Sequence, residues 1–134
     1  MISSKTFQVE IVTPESTKFE GEINELIIPG VAGEMGILAG HAPLLAMLSP
    51  GQLIYETTEG QFPLAVGEGF ATVANNKAVC LVDFALRPEE IDIEQAKQER
   101  EEALEALKDQ GSGSDALRIR LQAANAKLKV SGNA

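Results

Sequence analysis

Little in this chain could do covalent chemistry. Its 134 residues include one histidine, His41, and one cysteine, Cys80. An intrachain disulfide is therefore impossible, and a His/Cys metal cluster is absent by count. Cys80 lies in the apolar run Val79-Cys80-Leu81-Val82, where a thiol reads as a small buried hydrophobe rather than a nucleophile. A hydrolase would need His41 as base with an acidic residue such as Glu34 or Asp83. No nucleophile motif and no carboxylate pair at a recognisable spacing supports that chemistry. Gly30, Gly33, Gly36 and Gly40 punctuate the segment leading to His41. No helical pattern follows them to supply an anion-binding N-terminus, so they read as tight turns. Asp92, with Gln95 three residues on, reads as a helix N-cap in a variant capping box.

Charge separates the chain into three parts. The formal net charge is -9, which argues against general nucleic-acid binding. Residues 1–90 carry 4 basic and 12 acidic side chains, residues 91–110 carry 3 and 7, and residues 111–134 carry 4 and 1. The four basic residues of the last part are Arg118, Arg120, Lys127 and Lys129. A basic tail on an acidic protein is an asymmetry that asks for a partner. With no tryptophan and one tyrosine, a stacking platform for carbohydrate is not expected. No run of about 18 apolar residues occurs, so no membrane-spanning helix is expected. Met1-Ile2-Ser3-Ser4-Lys5 lacks the apolar core of a secretory signal, and a cytosolic-side protein is expected.

These residues must be positioned by two kinds of element. Residues 1–87 predict an antiparallel β-sandwich or flattened barrel. Phe7, Val9 and Ile11 alternate with polar neighbours, as do Phe62, Leu64 and Val66. Leu26-Ile27-Ile28 closes at Pro29-Gly30, and Leu53-Ile54-Tyr55 follows the turn Ser49-Pro50-Gly51. Thr57 to Gly60 and Asn75-Asn76 read as hairpin connections, and Gly67-Glu68-Gly69 as a bulge or turn. The segment from Gly33 to Pro43 reads as a loop. Residues 88–134 predict a helical hairpin. Arg87-Pro88 ends the last strand, and Ile93, Ala96, Ala103 and Leu107 share one face of a helix running to about Lys108. Gln110 to Ser114 is a flexible break. Ser114 or Asp115 caps a second helix, with Leu117, Leu121, Ala124 and Leu128 as its apolar stripe. The contact faces are alanine-rich. Each methyl returns only about 0.8 kcal/mol on burial, so the hairpin is expected to be able to leave its docked position.

One stretch is distinctive: Pro29-Gly30-Val31-Ala32-Gly33-Glu34-Met35-Gly36-Ile37-Leu38-Ala39-Gly40-His41-Ala42-Pro43-Leu44-Leu45. It resembles the signature of the F-type ATP synthase epsilon subunit of bacteria and chloroplasts. Val9 to Glu15, Phe19-Glu20-Gly21, Gly67 to Phe70, Val82 to Ala85 and Glu90-Ile91-Asp92 support the resemblance, in order along the whole chain. The resemblance implies a ten-stranded flattened sandwich followed by two antiparallel helices. It implies a non-catalytic rotor subunit of a proton-translocating synthase, without cofactor or metal. The sandwich would bind the gamma subunit through His41, Ala42, Pro43 and Leu45, and the c-subunit ring through Glu34, Met35 and Gly36. The helices would regulate the enzyme: folded down they leave it free, and extended along gamma they obstruct hydrolysis. In that state the basic helix carrying Arg118, Arg120, Lys127 and Lys129 would face the catalytic beta, and alpha, subunits. The expected place is peripheral, on the cytoplasmic face of a bacterial inner membrane or the stromal face of a thylakoid.

Some members of that family bind ATP through [IL]-D-x-x-R-A. Here Ile91, Asp92 and Ala96 match, but Gln95 replaces the arginine and offers neither its charge nor its fork. Glu102 and Ala123 stand where some ATP-binding members carry arginine, and Lys127 is the main cation retained. Weak or absent nucleotide binding is expected; the alternative is an ATP-sensing module acting through the hairpin.

Overall fold

The computed structural model describes residues 5–110 and 114–133. Ten strands come first: β1 (Phe7–Val12), β2 (Thr17–Ile23), β3 (Glu25–Gly30), β4 (Gly33–Leu38), β5 (Leu44–Leu48), β6 (Gly51–Thr57), β7 (Gly60–Val66), β8 (Gly69–Ala74), β9 (Lys77–Val82) and β10 (Ala85–Leu86). A 3-10 turn at Pro88–Glu90 leads to α1 (Ile93–Gln110) and α2 (Asp115–Val130). The strand order is β10-β7-β6-β3-β5-β8-β9-β1-β2, with β4 paired to β3. All pairs are antiparallel except β1 with β9, which run parallel from Gln8↔Lys77 to Val12↔Leu81.

Turn chemistry explains the connections. Asn75 and Asn76 both take positive φ, 53° and 60°, between Ala74 and Lys77, as a two-residue hairpin turn requires. Gly69 sits where a Cβ would meet Val82 Cα at 2.8 Å, so the backbones of β8 and β9 approach only because no side chain intervenes. One stretch departs from expectation. Gly33–Leu38, read as part of a loop, is strand β4, registered against β3 from Glu25↔Leu38 to Gly30↔Gly33. Its glycines hid it: Gly33 (φ 133°) opens the strand, and Gly36 pairs with Ile27. Pro29 is accommodated inside β3 because the ladder to β6 has already ended at Ile27↔Ile54.

The alternating aliphatic side chains meet inside. Val9, Ile11, Ile23, Leu26, Ile28, Ile37, Leu53, Leu64 and Val66 form the sandwich core. The two ends of the strand order are drawn together. Phe19 of β2 stacks on Tyr55 of β6 with centroids 4.1 Å apart, and Tyr55 stacks on Phe62 of β7 at 5.2 Å. Burial pushes the Tyr55 phenol up. Outside this stack, Lys18 of β2 pairs with Glu90 at 2.5 Å, and the Arg87 guanidinium donates to the Lys18 carbonyl at 3.1 Å. The Arg87 N–H donates to Glu90 Oε1 at 2.8 Å. The Lys18 hydrogen bond, then that from the Arg87 backbone, holds the Glu90 carboxyl below its ordinary range.

The helices begin as their caps dictate. Asp92 Oδ1 accepts from the Gln95 N–H at 3.1 Å, and Ser114 Oγ accepts from the Leu117 N–H at 3.3 Å. Residues 111–113 of the expected break lie outside the described residues. At the far end Gly132 (φ 83°) allows Asn133 N–H to reach the Leu128 carbonyl at 2.7 Å, a glycine-closed helix terminus. α1 lies along α2 with Ala96, Ala103, Leu117, Ala124 and Leu128 buried. α2 has a second buried face, beyond the expected stripe. Ala126 and Val130 pack with Ala65 and Ile91 against the outside of the sandwich, flanked by Phe84, Leu86 and Ile93.

Candidate functional site

The outer face of β5, β8 and β9 exposes what a sandwich normally hides. Alternate residues Ala46, Leu48, Ala71, Val73, Cys80 and Val82 point inward and are buried. Their neighbours therefore point outward, because successive strand side chains face opposite sides. Strand register sets Met47 beside Phe70, Phe70 beside Leu81, and Leu81 beside Val12. Met47, Phe70 and Leu81 are 58%, 39% and 38% exposed, and Leu45 is 67% exposed. Val31, also exposed, donates its N–H to the Met47 carbonyl at 3.0 Å. Five large apolar side chains thus share one continuous surface, the kind of patch that marks a protein interface.

Three of the residues expected to touch gamma stand just before this patch in sequence, and Leu45 is part of it. His41 is half-buried. Its N–H donates to the Leu38 carbonyl at 3.1 Å, and its Nδ1 lies 2.7 Å from the Ala42 carbonyl. A carbonyl only accepts, so Nδ1 carries the proton. Ala42 and Pro43 are exposed, and Leu44 enters β5 opposite Val73. Gly40 N–H donates to Asn76 Oδ1 at 2.9 Å, tying this loop to the β8–β9 turn. Asp83 follows the opposite end of β9, so the fold does not assemble it with His41. Cys80 is fully buried and its thiol is pushed up to about 12 by desolvation, which leaves it inert.

The residues expected at the ring lie on the β3–β4 hairpin. Glu34 and Gly36 are exposed, and Met35 packs against the core. The structure brings Glu34 to a cleft of about 280 Å³ shared with Pro29, Gln52 and, from α2, Gln122, Asn125 and Lys129. Sequence reading kept these regions apart, since nothing local says which sandwich face α2 covers.

The residues matching the nucleotide motif are divided. Ile91 and Ala96 are buried in packing. Asp92 and Gln95 line a shallow groove on α1, while Lys127 lines a cleft of about 450 Å³ between the helices with Glu99, Glu102, Arg120 and Ala123. Lys127 pairs with Glu99 at 3.2 Å and stands 5.0 Å over the Phe84 ring. It thus touches acidic α1 and the sandwich from basic α2. Arg118 pairs with Asp115 on its own helix, and Arg120 and Lys129 are exposed. Among the described residues no cluster of three or more His, Cys, Asp or Glu could hold a metal ion, and no helix is long and apolar enough to cross a membrane.

Comparison with known proteins agrees with this architecture. The chain is similar to the ATP synthase epsilon chain of Desulforamulus reducens, with 40% identity over 118 residues, covering 88% of this chain and 89% of the relative. It is similar to the chloroplastic ATP synthase epsilon chain of Cyanidioschyzon merolae, 37% identical over 123 residues and covering 92% and 94% of the two chains. Its fold matches a chain of the Euglena gracilis mitochondrial ATP synthase at TM-score 0.70 and 24% identity, covering 99% of this chain and 84% of that one. A chain from the central stalk and c-ring of the Tetrahymena thermophila mitochondrial ATP synthase matches at TM-score 0.65 and 16% identity, over 95% and 97%. Residues 6–88 match the family described as ATP synthase, Delta/Epsilon chain, beta-sandwich domain, and with these relatives the chain belongs to the ATP synthase epsilon-chain family.

Proposed function

We propose that this chain is a non-catalytic part of the synthase's central stalk, seated on the gamma subunit and on the ring of c subunits. The observation that carries this is the exposed apolar row Met47–Phe70–Leu81 with Leu45 and Val31. A protein that works alone gains nothing from leaving those side chains in water; a gamma surface of apolar character would cover them. The His41–Pro43 loop borders the same face and extends it. Glu34, Met35 and Gly36 present the hairpin that meets the polar loops of the ring. The assembly would hold the chain at the cytoplasmic or stromal face of its membrane.

The two helices supply regulation. The docked arrangement corresponds to the state that leaves hydrolysis free; released, the basic residues Arg118, Arg120, Lys127 and Lys129 would reach acidic segments of the catalytic beta and alpha subunits. ATP binds weakly or not at all. Gln95 brings no charge to its groove, and Lys127 is already paired with Glu99.

The test is ATP hydrolysis by an epsilon-depleted catalytic head, with the full chain, a chain truncated after Glu90, and Phe70→Asp. Both the full and truncated chains should bind, only the full chain should slow hydrolysis, and Phe70→Asp should bind poorly. Normal binding by Phe70→Asp removes the apolar face from the interface. Equal inhibition by the truncated chain removes the regulatory role of the helices. A low-micromolar dissociation constant for ATP by calorimetry would overturn the reading of the nucleotide motif.

A further inference from the structure

Asn76 does more than its turn requires. A two-residue hairpin turn asks only for residues that tolerate positive φ, and Asn75 and Asn76 both meet that demand. The Asn76 side chain also bridges two other segments. Its Oδ1 accepts from the Gly40 N–H at 2.9 Å, and its Nδ2 donates to the Thr6 carbonyl at 3.0 Å. Its backbone carbonyl accepts from the Gln8 N–H at 3.2 Å. One residue thereby fixes the loop before His41, the entry to β1 and the end of the β8–β9 hairpin relative to each other.

The position matters because of what lies on either side. Gly40 precedes His41, Ala42 and Pro43, and the chain then enters β5, whose outward side chains Leu45 and Met47 belong to the apolar face. Phe70 and Leu81 of that face stand on β8 and β9, the strands that Asn76 joins. Loop and sheet face form one surface only while their relative placement is held.

We infer that Asn76 is a positioning residue for this partner-binding surface, holding the Gly40–Pro43 loop in its bound arrangement before the partner arrives. The inference rests on the reading that this face seats the gamma subunit. An exposed amide clasp adds little to global stability, but a loop ordered in advance spares the ordering cost at association. Its loss should therefore show in affinity and in local exchange, not in unfolding.

The experiment uses the full chain and variants Asn76→Gly, Asn76→Asp, Asn75→Gly and Phe70→Asp. It measures affinity for the gamma subunit, amide exchange at Gly40 and His41, and thermal unfolding. Glycine suits the positive φ, so Asn76→Gly should keep the turn while losing both clasp bonds. It should weaken gamma binding about tenfold and deprotect the Gly40 amide, with unfolding temperature unchanged. Asn76→Asp keeps an acceptor for Gly40 but loses the donor to Thr6, and should fall in between. Asn75→Gly should match the parent. If Asn76→Gly binds as the parent does while Phe70→Asp fails, the positioning role is wrong and the seat stands. If Asn75→Gly weakens binding as much as Asn76→Gly, the effect belongs to the turn and the inference is overturned. If Phe70→Asp and Asn76→Gly both bind normally, the reading of the face fails and takes the inference with it.

Discussion

The sandwich and the helical hairpin are held by different amounts of the same force. Inside the sandwich, Ile11, Ile23, Leu26, Ile28, Leu53 and Leu64 are at most 1% exposed, and burying each such side chain returns about 1.5–3 kcal/mol. The seam that docks the hairpin is built from Ala65, Ile91, Ala126 and Val130. Two of those four offer a single methyl, worth about 0.8 kcal/mol each. Phe84, Leu86 and Ile93 flank the seam, and a cation–ring contact from Lys127 to Phe84 adds a little. A ligand or partner that favours undocked helices needs to overcome only the second set. The sandwich is thus the firmer of the two regions.

The sharpest way to break this comparison is to truncate the core. Leu53→Ala should cost about 2–5 kcal/mol in urea unfolding, because a cavity remains among residues that cannot collapse into it. A cost well under that would mean the sandwich is no firmer than the seam. Next, Ala126→Glu places a carboxylate between Ala65 and Ile91. Kept buried and unpaired it would cost roughly 3–5 kcal/mol, more than the seam's alanines return, so the helices should release instead. Hydrogen exchange should then show α1 and α2 deprotected with β1 to β9 unchanged; loss of protection in the strands would show that the two regions unfold together.

The smallest effects sharpen the comparison through pH. Glu90 is held below its ordinary value, so its stabilisation is present above the usual carboxylate range and is lost as pH falls through its own lower value. Glu90→Gln should lower stability at neutral pH by about 0.2–1 kcal/mol, since the carboxylate still reaches water, and the gap should vanish in acid. Glu20 behaves oppositely. A hydrogen bond with Glu10, its partner across β1 and β2, then their mutual repulsion, raises its carboxyl. Stability from its protonated form is present in acid and is lost as pH rises through the raised value. Glu20→Gln should therefore stabilise the chain at neutral pH and lose that advantage on acidification. Matching pH profiles for the two variants would show that these carboxylates do not act where the structure puts them.

What could be read in advance was local. Asn75-Asn76, Thr57 to Gly60, Asp92 and Ser114 announced their turns and caps because each satisfies a nearby backbone demand. Phe7, Val9 and Ile11 announced β1 by alternation. Strand β4 was missed because Gly33 and Gly36 read as breakers, although β3 supplies a full ladder for them. Of the exposed row only Leu45 was named in advance, and the rest was missed for another reason: Leu44 to Leu48 and Val79 to Val82 are apolar on both faces, so their periodicity does not say which side meets water. Ala126 and Val130 lie off the stripe of Leu117, Leu121, Ala124 and Leu128, and only the docked sandwich gives them a partner. Asn76 was legible as a turn; its reach to Gly40 and Thr6 depends on residues 36 and 70 positions away.

The parallel pairing of β1 with β9 bears on how the chain comes to be assembled. As synthesis proceeds, the β6–β7 and β8–β9 hairpins can close soon after their residues emerge, since their partners are neighbours in sequence. β1 finds β2 early, yet its other edge must wait for Lys77–Val82. Contacts of such long separation are slow to form. Until they form, one edge of the first-made strand is an open template for other chains. Pairing with β9 is what covers that edge of β1.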